Sequence, residues 1–199
     1  MGELRGGYRV HFVVALVLCG ADLLCMASTW LPGEYVVPRG LVIGLFIAVF
    51  PVFISALVRV VISGGFQQMG RGNGHRLVEY VRLLPPVMKL VYALVVGAAA
   101  LGLSTAAGTA EDAQADASGY YYTYWDRSAQ PQHLSRVELT RPEYYEVLKS
   151  QLRIFSAGPA VFHAAGSFLV AVAASAAAAR TRRSAPGRPP GAARRPGRT

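Results

Sequence analysis

The sequence predicts an all-α membrane protein: a four-transmembrane-helix bundle with a small extracytoplasmic β-hairpin plus helix inserted between the third and fourth spans. Three observations carry that expectation. Of 199 residues, 53% are hydrophobic and 16% charged, which is too apolar for a disordered chain. The apolar residues are gathered into four long blocks with the charges between them, and a helix needs about 20 such residues to cross a bilayer core. The net charge of +9 is concentrated at one end, where residues 180–199 carry seven arginines and no acid.

Taken in order, a basic N-terminus, 1–10, leads into the first span, 11–29. A cleaved signal peptide is the rival reading. Asp22 and the length of the apolar run argue against it, and Cys25-Met26-Ala27 is a poor cleavage site. The loop 30–40 ends helices at Pro32 and Pro38 and holds Trp30 and Tyr35, which suit a membrane interface. The second span, 41–62, contains Pro51, expected to kink it or free a carbonyl. Its Arg59 is placed to snorkel. The loop 63–86 opens with glycines. It continues as a short amphipathic helix with Leu77, Tyr80, Val81 and Leu84 on one face, and Arg76, Glu79 and Arg82 on the other. Gly70, Gly72 and Gly74 lack the strand and the GK[ST] of a phosphate loop.

The third span, 87–107, carries a small-residue ridge at Ala98, Gly102 and Ala106; Gly158, Ala164, Ala165 and Ala171 form a similar set in the fourth. Such residues let helices approach closely. The segment 108–153 begins as an acidic, small-residue linker. Strong β character at Tyr120–Trp125, alternation at Leu134–Leu139 and a Gln130-Pro131 turn then predict a hairpin. Thr140-Arg141-Pro142-Glu143 matches a capping box that starts a helix. That helix is expected to break or kink near Gly158-Pro159 as it feeds the fourth span, 154–179. The tail, 180–199, rich in Arg, Pro and Gly, is expected to be disordered.

The Arg/Lys bias sets an expected orientation. With the N-terminus cytoplasmic, fourteen basic groups lie inside and six outside, while most acids fall outside. Four spans return the C-terminus to the same side. A plasma (inner) membrane is the expected location, and the Arg-over-Lys, Ala-rich composition fits a GC-rich bacterial genome.

Two residues inside the spans demand partners. An acid in a span costs about 2.5–3.5 kcal/mol on translocon scales. Asp22 lies eight residues from Trp30, about 12 Å below the interface at 1.5 Å per residue. His163 lies about as deep in the fourth span. Depth matching therefore predicts that Asp22 and His163 face each other, either as a structural clamp between helices or as a proton or ion site.

Outside the spans, Tyr120, Tyr121, Tyr122, Tyr124, Trp125, Tyr144 and Tyr145 form an expected aromatic patch. It could bind a partner or serve as an interfacial belt with hairpin packing. The tail arginines Arg180, Arg182, Arg183, Arg188, Arg194, Arg195 and Arg198 are expected to meet anionic lipid headgroups. They carry no specific nucleic-acid motif.

No enzymatic constellation stands out: no Ser/His/Asp set, no HExxH, no paired catalytic carboxylates. Cys19 and Cys25 are six apart and point different ways on a helix, so neither a redox pair nor a zinc site is expected. His11 and His163 sit near opposite sides, while His75 and His133 are in loops, which disfavours haem. No cofactor and no metal are expected. The expected function is a non-enzymatic scaffold or accessory subunit that binds a membrane partner, or its own copies, through helix faces or the aromatic segment. The alternative is a proton- or ion-coupled transporter or channel-like oligomer using Asp22 and His163.

Overall fold

A computed structural model describes residues 4, 6–65, 81–82, 84–106, 113–126 and 133–184. It contains α1 (Gly7–Ser28), α2 (Arg39–Ser63), α3 (Pro86–Ala106), β1 (Ala113–Asp116), β2 (Gly119–Asp126), β3 (His133–Leu139) and α4 (Arg141–Ser184). All four helices are long and apolar enough to cross a membrane. They run alternately up and down, so one end of the bundle carries the sheet and the other carries the starts of α1 and α3 and the close of α4. The exterior is apolar: Val17, Leu24, Ile47, Ile62 and Leu94 all point outward. Water would not tolerate so large a contiguous surface, whereas lipid solvates it.

The bundle is organised around α4. Of its apolar stretch 56% is buried, against 28%, 22% and 17% for α1, α2 and α3. All three of those helices pack on α4, while α1 touches α2 and α3 only sparsely. The α1 seam is a 4-3-4-3 stripe of Ala15, Cys19, Asp22, Met26 and Thr29, the spacing that keeps one face of a helix against a partner. On α3 the buried stripe is Val95, Ala99, Gly102 and Ala106. Its centre is thus Ala99, and Ala98 lies at its edge. A Cβ on Gly102 would run into the Met26 sulfur, so the ridge does bring α1 and α3 close.

Two expectations are corrected. The helix that starts at the capping box does not break at Gly158-Pro159; it continues as the fourth apolar helix for 44 residues, about 66 Å. Thr140 donates its N–H and Oγ1–H to the Glu143 carboxylate at 2.8 and 2.7 Å, which starts it. Pro159 withholds one N–H, but packing on three neighbours accompanies a helix that stays continuous through it. In lipid, a break would also expose carbonyls with no water to meet them. The same helix runs five residues into the segment expected to be disordered, to Ser184.

The hairpin is a three-stranded antiparallel meander in the order β1-β2-β3. Residues 113–116, expected as linker, pair with β2 in the register Ala113↔Tyr122 and Ala115↔Tyr120. The Asp116 carboxylate makes the turn by accepting the Ser118 N–H at 2.8 Å and its hydroxyl at 2.5 Å. This is an Asx-type turn. Arg136 of β3 reaches across to the same carboxylate at 3.1 Å. Together these hold the Asp116 carboxyl at a pKa of about 2, with the Ser118 hydroxyl contributing most. The amphipathic helix expected in 63–86, the Gln130-Pro131 turn and most of the tail lie outside the described residues.

Candidate functional site

Asp22 and His163 meet at the centre of the α1–α4 seam. His163 Nδ1 is 2.7 Å from Asp22 Oδ2, with the side chains 0% and 1% exposed respectively. A carboxyl and an imidazole at that distance share one proton in either of two net-neutral forms, and low dielectric favours net neutrality. The partner atom, His163 Nε2, is buried and has no hydrogen-bond partner among the described residues.

The pair belongs to a longer polar seam along α4. One turn toward the C-terminus, the Ser167 hydroxyl bonds the Ala164 carbonyl at 2.7 Å and lies 2.8 Å from Tyr92 Oη of α3. The Cys19 thiol, one turn from Asp22 on the side away from the sheet, donates to the Ala160 carbonyl at 3.4 Å. Toward the sheet on α4 lies Ser156, whose buried hydroxyl has no partner among the described residues. Cys25 lies in a separate apolar cluster near the sheet end, so the two free thiols serve different packing sites. Among the described residues no group of three or more His, Cys, Asp or Glu side chains is placed to hold a metal ion.

The sheet end of this seam holds two cations whose role sequence reasoning missed. Lys149, only 2% exposed, donates from Nζ to the carbonyls of Leu31 at 3.0 Å and Gly33 at 2.7 Å. Arg153 donates to Thr29 Oγ1 at 2.9 Å and to the carbonyls of Thr29 and Thr105, both at 3.3 Å. Its guanidinium also lies 5.5 Å from the Trp30 ring centroid. The last carbonyls of a helix lack intrahelical donors and carry partial negative charge. Arg153 supplies both donors and charge to the ends of α1 and α3, and Lys149 supplies them to the loop that follows α1. Ser150 adds a bond to the Ala106 carbonyl at 3.3 Å.

No protein-family model, curated protein or solved structure matches this chain.

The seven aromatic residues do not form one patch. Strand alternation puts Tyr120, Tyr122 and Tyr124 on one face of β2 and Tyr121 and Trp125 on the other. Tyr120 stacks on Tyr144 of α4 at 4.5 Å, and Tyr145 meets Tyr144 edge-on at 5.5 Å. That face is the joint between sheet and bundle. On the other face, the Arg136 guanidinium lies 3.6 Å from the Tyr121 ring centroid. Trp125 stands opposite Leu134 in the β2–β3 register, and the two are 65% and 53% exposed.

At the opposite end, Arg180 donates to the Ile62 carbonyl at 3.1 Å. Its guanidinium also fills the space beside Gly64, the left-handed residue that closes α2 at φ 71°. Arg59 stacks over Tyr8 at 5.0 Å. Arg182 and Arg183 fall on the last turn of α4, and Arg188, Arg194, Arg195 and Arg198 lie outside the described residues.

Proposed function

We propose that this chain is a multi-pass protein of a bacterial plasma membrane, with both termini cytoplasmic, that acts as a non-enzymatic scaffold or accessory subunit. One observation carries the reading: the buried ionisable side chains among the described residues are spent on contacts within the chain. Asp22 and His163 bond each other in full burial, and Lys149 is consumed by loop carbonyls. That is the economy of a structural clamp. The surface offered to a membrane partner is the distal sheet face, where Trp125 and Leu134 are exposed opposite each other and Arg136 lies beside them. Aromatic and Arg side chains of this kind are enriched where proteins meet.

The test is affinity purification of the full chain from its native membrane, comparing wild type with the double variant Trp125→Ser/Leu134→Ser. Loss of a stoichiometric co-purifying protein, with abundance unchanged, supports the reading; an identical partner profile refutes the sheet face as the contact. The orientation is tested by accessibility probes at Gly74, Tyr122 and the C-terminus. Only the first and last should be cytoplasmic.

The second reading, a proton- or ion-coupled oligomer, is favoured by a single observation, that His163 Nε2 has no partner among the described residues. It predicts that Asp22→Asn abolishes a transport activity while abundance is normal. For the tail arginines we propose contact with anionic headgroups, each worth about 1 kcal/mol at the surface.

A further inference from the structure

A second feature lies away from the polar seam. Between the start of α2 and the sheet-proximal part of α4, a cleft of about 900 Å³ opens on the side of the bundle, the upper part of the range for small-molecule sites. Its floor is buried and apolar, with Val42 and Leu152 at the base. Its walls are Ile43, Phe46 and Phe155, all facing outward. Phe46 and Phe155 meet edge-on at 6.4 Å across it. On α2 the lining runs from Arg39 to Phe46, about 10 Å along the helix axis.

The charged residue of the lining stands at one end of the cleft, and Gln151 adds a polar group further in. Arg39, the first residue of α2, and Tyr144, near the start of α4, lie at the sheet end. Lys149 lies near this level on α4, with Arg153 and Trp30 about a turn further along the cleft. Amphipathic rings and basic groups gather at that level where a bilayer changes from hydrocarbon to headgroup. A long apolar slot that opens sideways into the hydrocarbon, with a cation at its interfacial end, has the polarity of one kind of molecule: an anionic phospholipid.

We propose that the α2–α4 cleft is a phospholipid site, laying an acyl chain along the surface of the Phe46–Phe155 pair and setting the headgroup phosphate against Arg39. The first backbone N–H groups of α2 add donors at the same place, where a helix N-terminus favours an anion. Nothing in the proposal depends on which leaflet faces the cytoplasm. It is also distinct from the tail arginines, which would meet headgroups only at the surface and at the other end of the bundle.

The experiment uses the full chain in nanodiscs of equal parts phosphatidylglycerol and phosphatidylcholine, transferred to mild detergent, with retained lipid counted by native mass spectrometry. The expected result is one retained lipid per chain, enriched in phosphatidylglycerol. Arg39→Gln should lower that enrichment about fivefold, the worth of one basic residue against an anionic lipid. Ile43→Trp puts bulk into the cleft from an already exposed wall and should abolish retention of both lipids. Ile54→Trp, an equally exposed site on α2 outside the cleft, should leave retention as in wild type. Absence of a stoichiometric lipid in the wild type overturns the site, as does equal retention by the two tryptophan variants. Equal retention of both lipids in wild type, unchanged by Arg39→Gln, overturns the headgroup assignment.

Discussion

If the Asp22–His163 contact clamps α1 to α4, the two residues must be energetically coupled. The perturbation is a double-mutant cycle of Asp22→Ala, His163→Ala and the double variant. Truncating Asp22 leaves an imidazole with neither nitrogen bonded in full burial, and an unsatisfied buried polar group costs about 1–3 kcal/mol. Truncating His163 strands a carboxyl in the same way. The double variant strands neither, so its cost falls below the sum of the singles, while the cavity terms common to both arms cancel. Polar pairs in membrane bundles couple by about 0.6 kcal/mol on average, reaching about 1.7. A fully buried contact at 2.7 Å belongs at the upper end, about 1.5 kcal/mol. The assay is unfolding by increasing SDS in mixed micelles, followed by the fluorescence of Trp30 and Trp125. Independent sites add to within about 0.5 kcal/mol. Additivity inside that margin would refute the clamp, as would unchanged folding and abundance in both Asp22→Asn and His163→Gln.

The remaining predictions concern the ends of the bundle, the helix crossing and the sheet. Lys149→Met removes two charge-assisted bonds to the loop after α1 and should destabilise the protein by about 1.5–3 kcal/mol in the same SDS titration. It should also open residues 30–38 to limited proteolysis. Gly102→Val should drive into the Met26 side chain and cost about 1–3 kcal/mol, with Met26→Ala in the same chain recovering part of the loss. The Asp116 carboxyl titrates near pH 2 in the folded sheet, below its ordinary 3.8. Its contribution to the turn is therefore complete above about pH 4 and is lost as pH falls through about 2. A carboxyl NMR titration should show Ser118→Ala moving that midpoint upward, and an unmoved midpoint would contradict the turn geometry.

What could be read from residue order divides along physical lines. The four long helices were legible because lipid demands an unbroken apolar run, and nothing in a soluble core imitates it at this length. The pairing of Asp22 with His163 was inferred from depth alone, since rise per residue is fixed in a helix and the cost of a lone ionisable group is high. The first strand was hidden because Ala113-Gln-Ala-Asp116 has poor β propensity. Its pairing rests on the Asp116–Ser118 turn and on tyrosines that accept small neighbours, and only the D-A-S-G turn signal announces it. The continuity of α4 was missed because Gly158-Pro159 reads as a break when neighbours are ignored.

The seam itself was legible in a form that depth matching does not use. Lys149, Arg153, Ser156, Ala160, His163, Ser167 and Val170 follow one 4-3-4-3-4-3 rule through α4, and Ala15, Cys19, Asp22, Met26 and Thr29 follow the same rule in α1. A polar residue off this repeat would face hydrocarbon or another helix. Each one on it is delivered to the seam where α4 meets α1 and α3, or to its ends. Depth tells which residues stand level, and the repeat tells which of them share a face. Applied together, they assign Lys149 and Arg153 to the ends of the seam that His163 centres. On that view the cations belong to one interhelical contact, the Arg153 charge directed at carbonyls of neighbouring helix ends and that of Lys149 at the loop after α1. Lys149→Met and the Asp22–His163 cycle thus act on the same interface from two places. Their effects should add, because Lys149 and His163 lie fourteen residues apart on one helix, about 21 Å, beyond the range at which neighbouring sites couple.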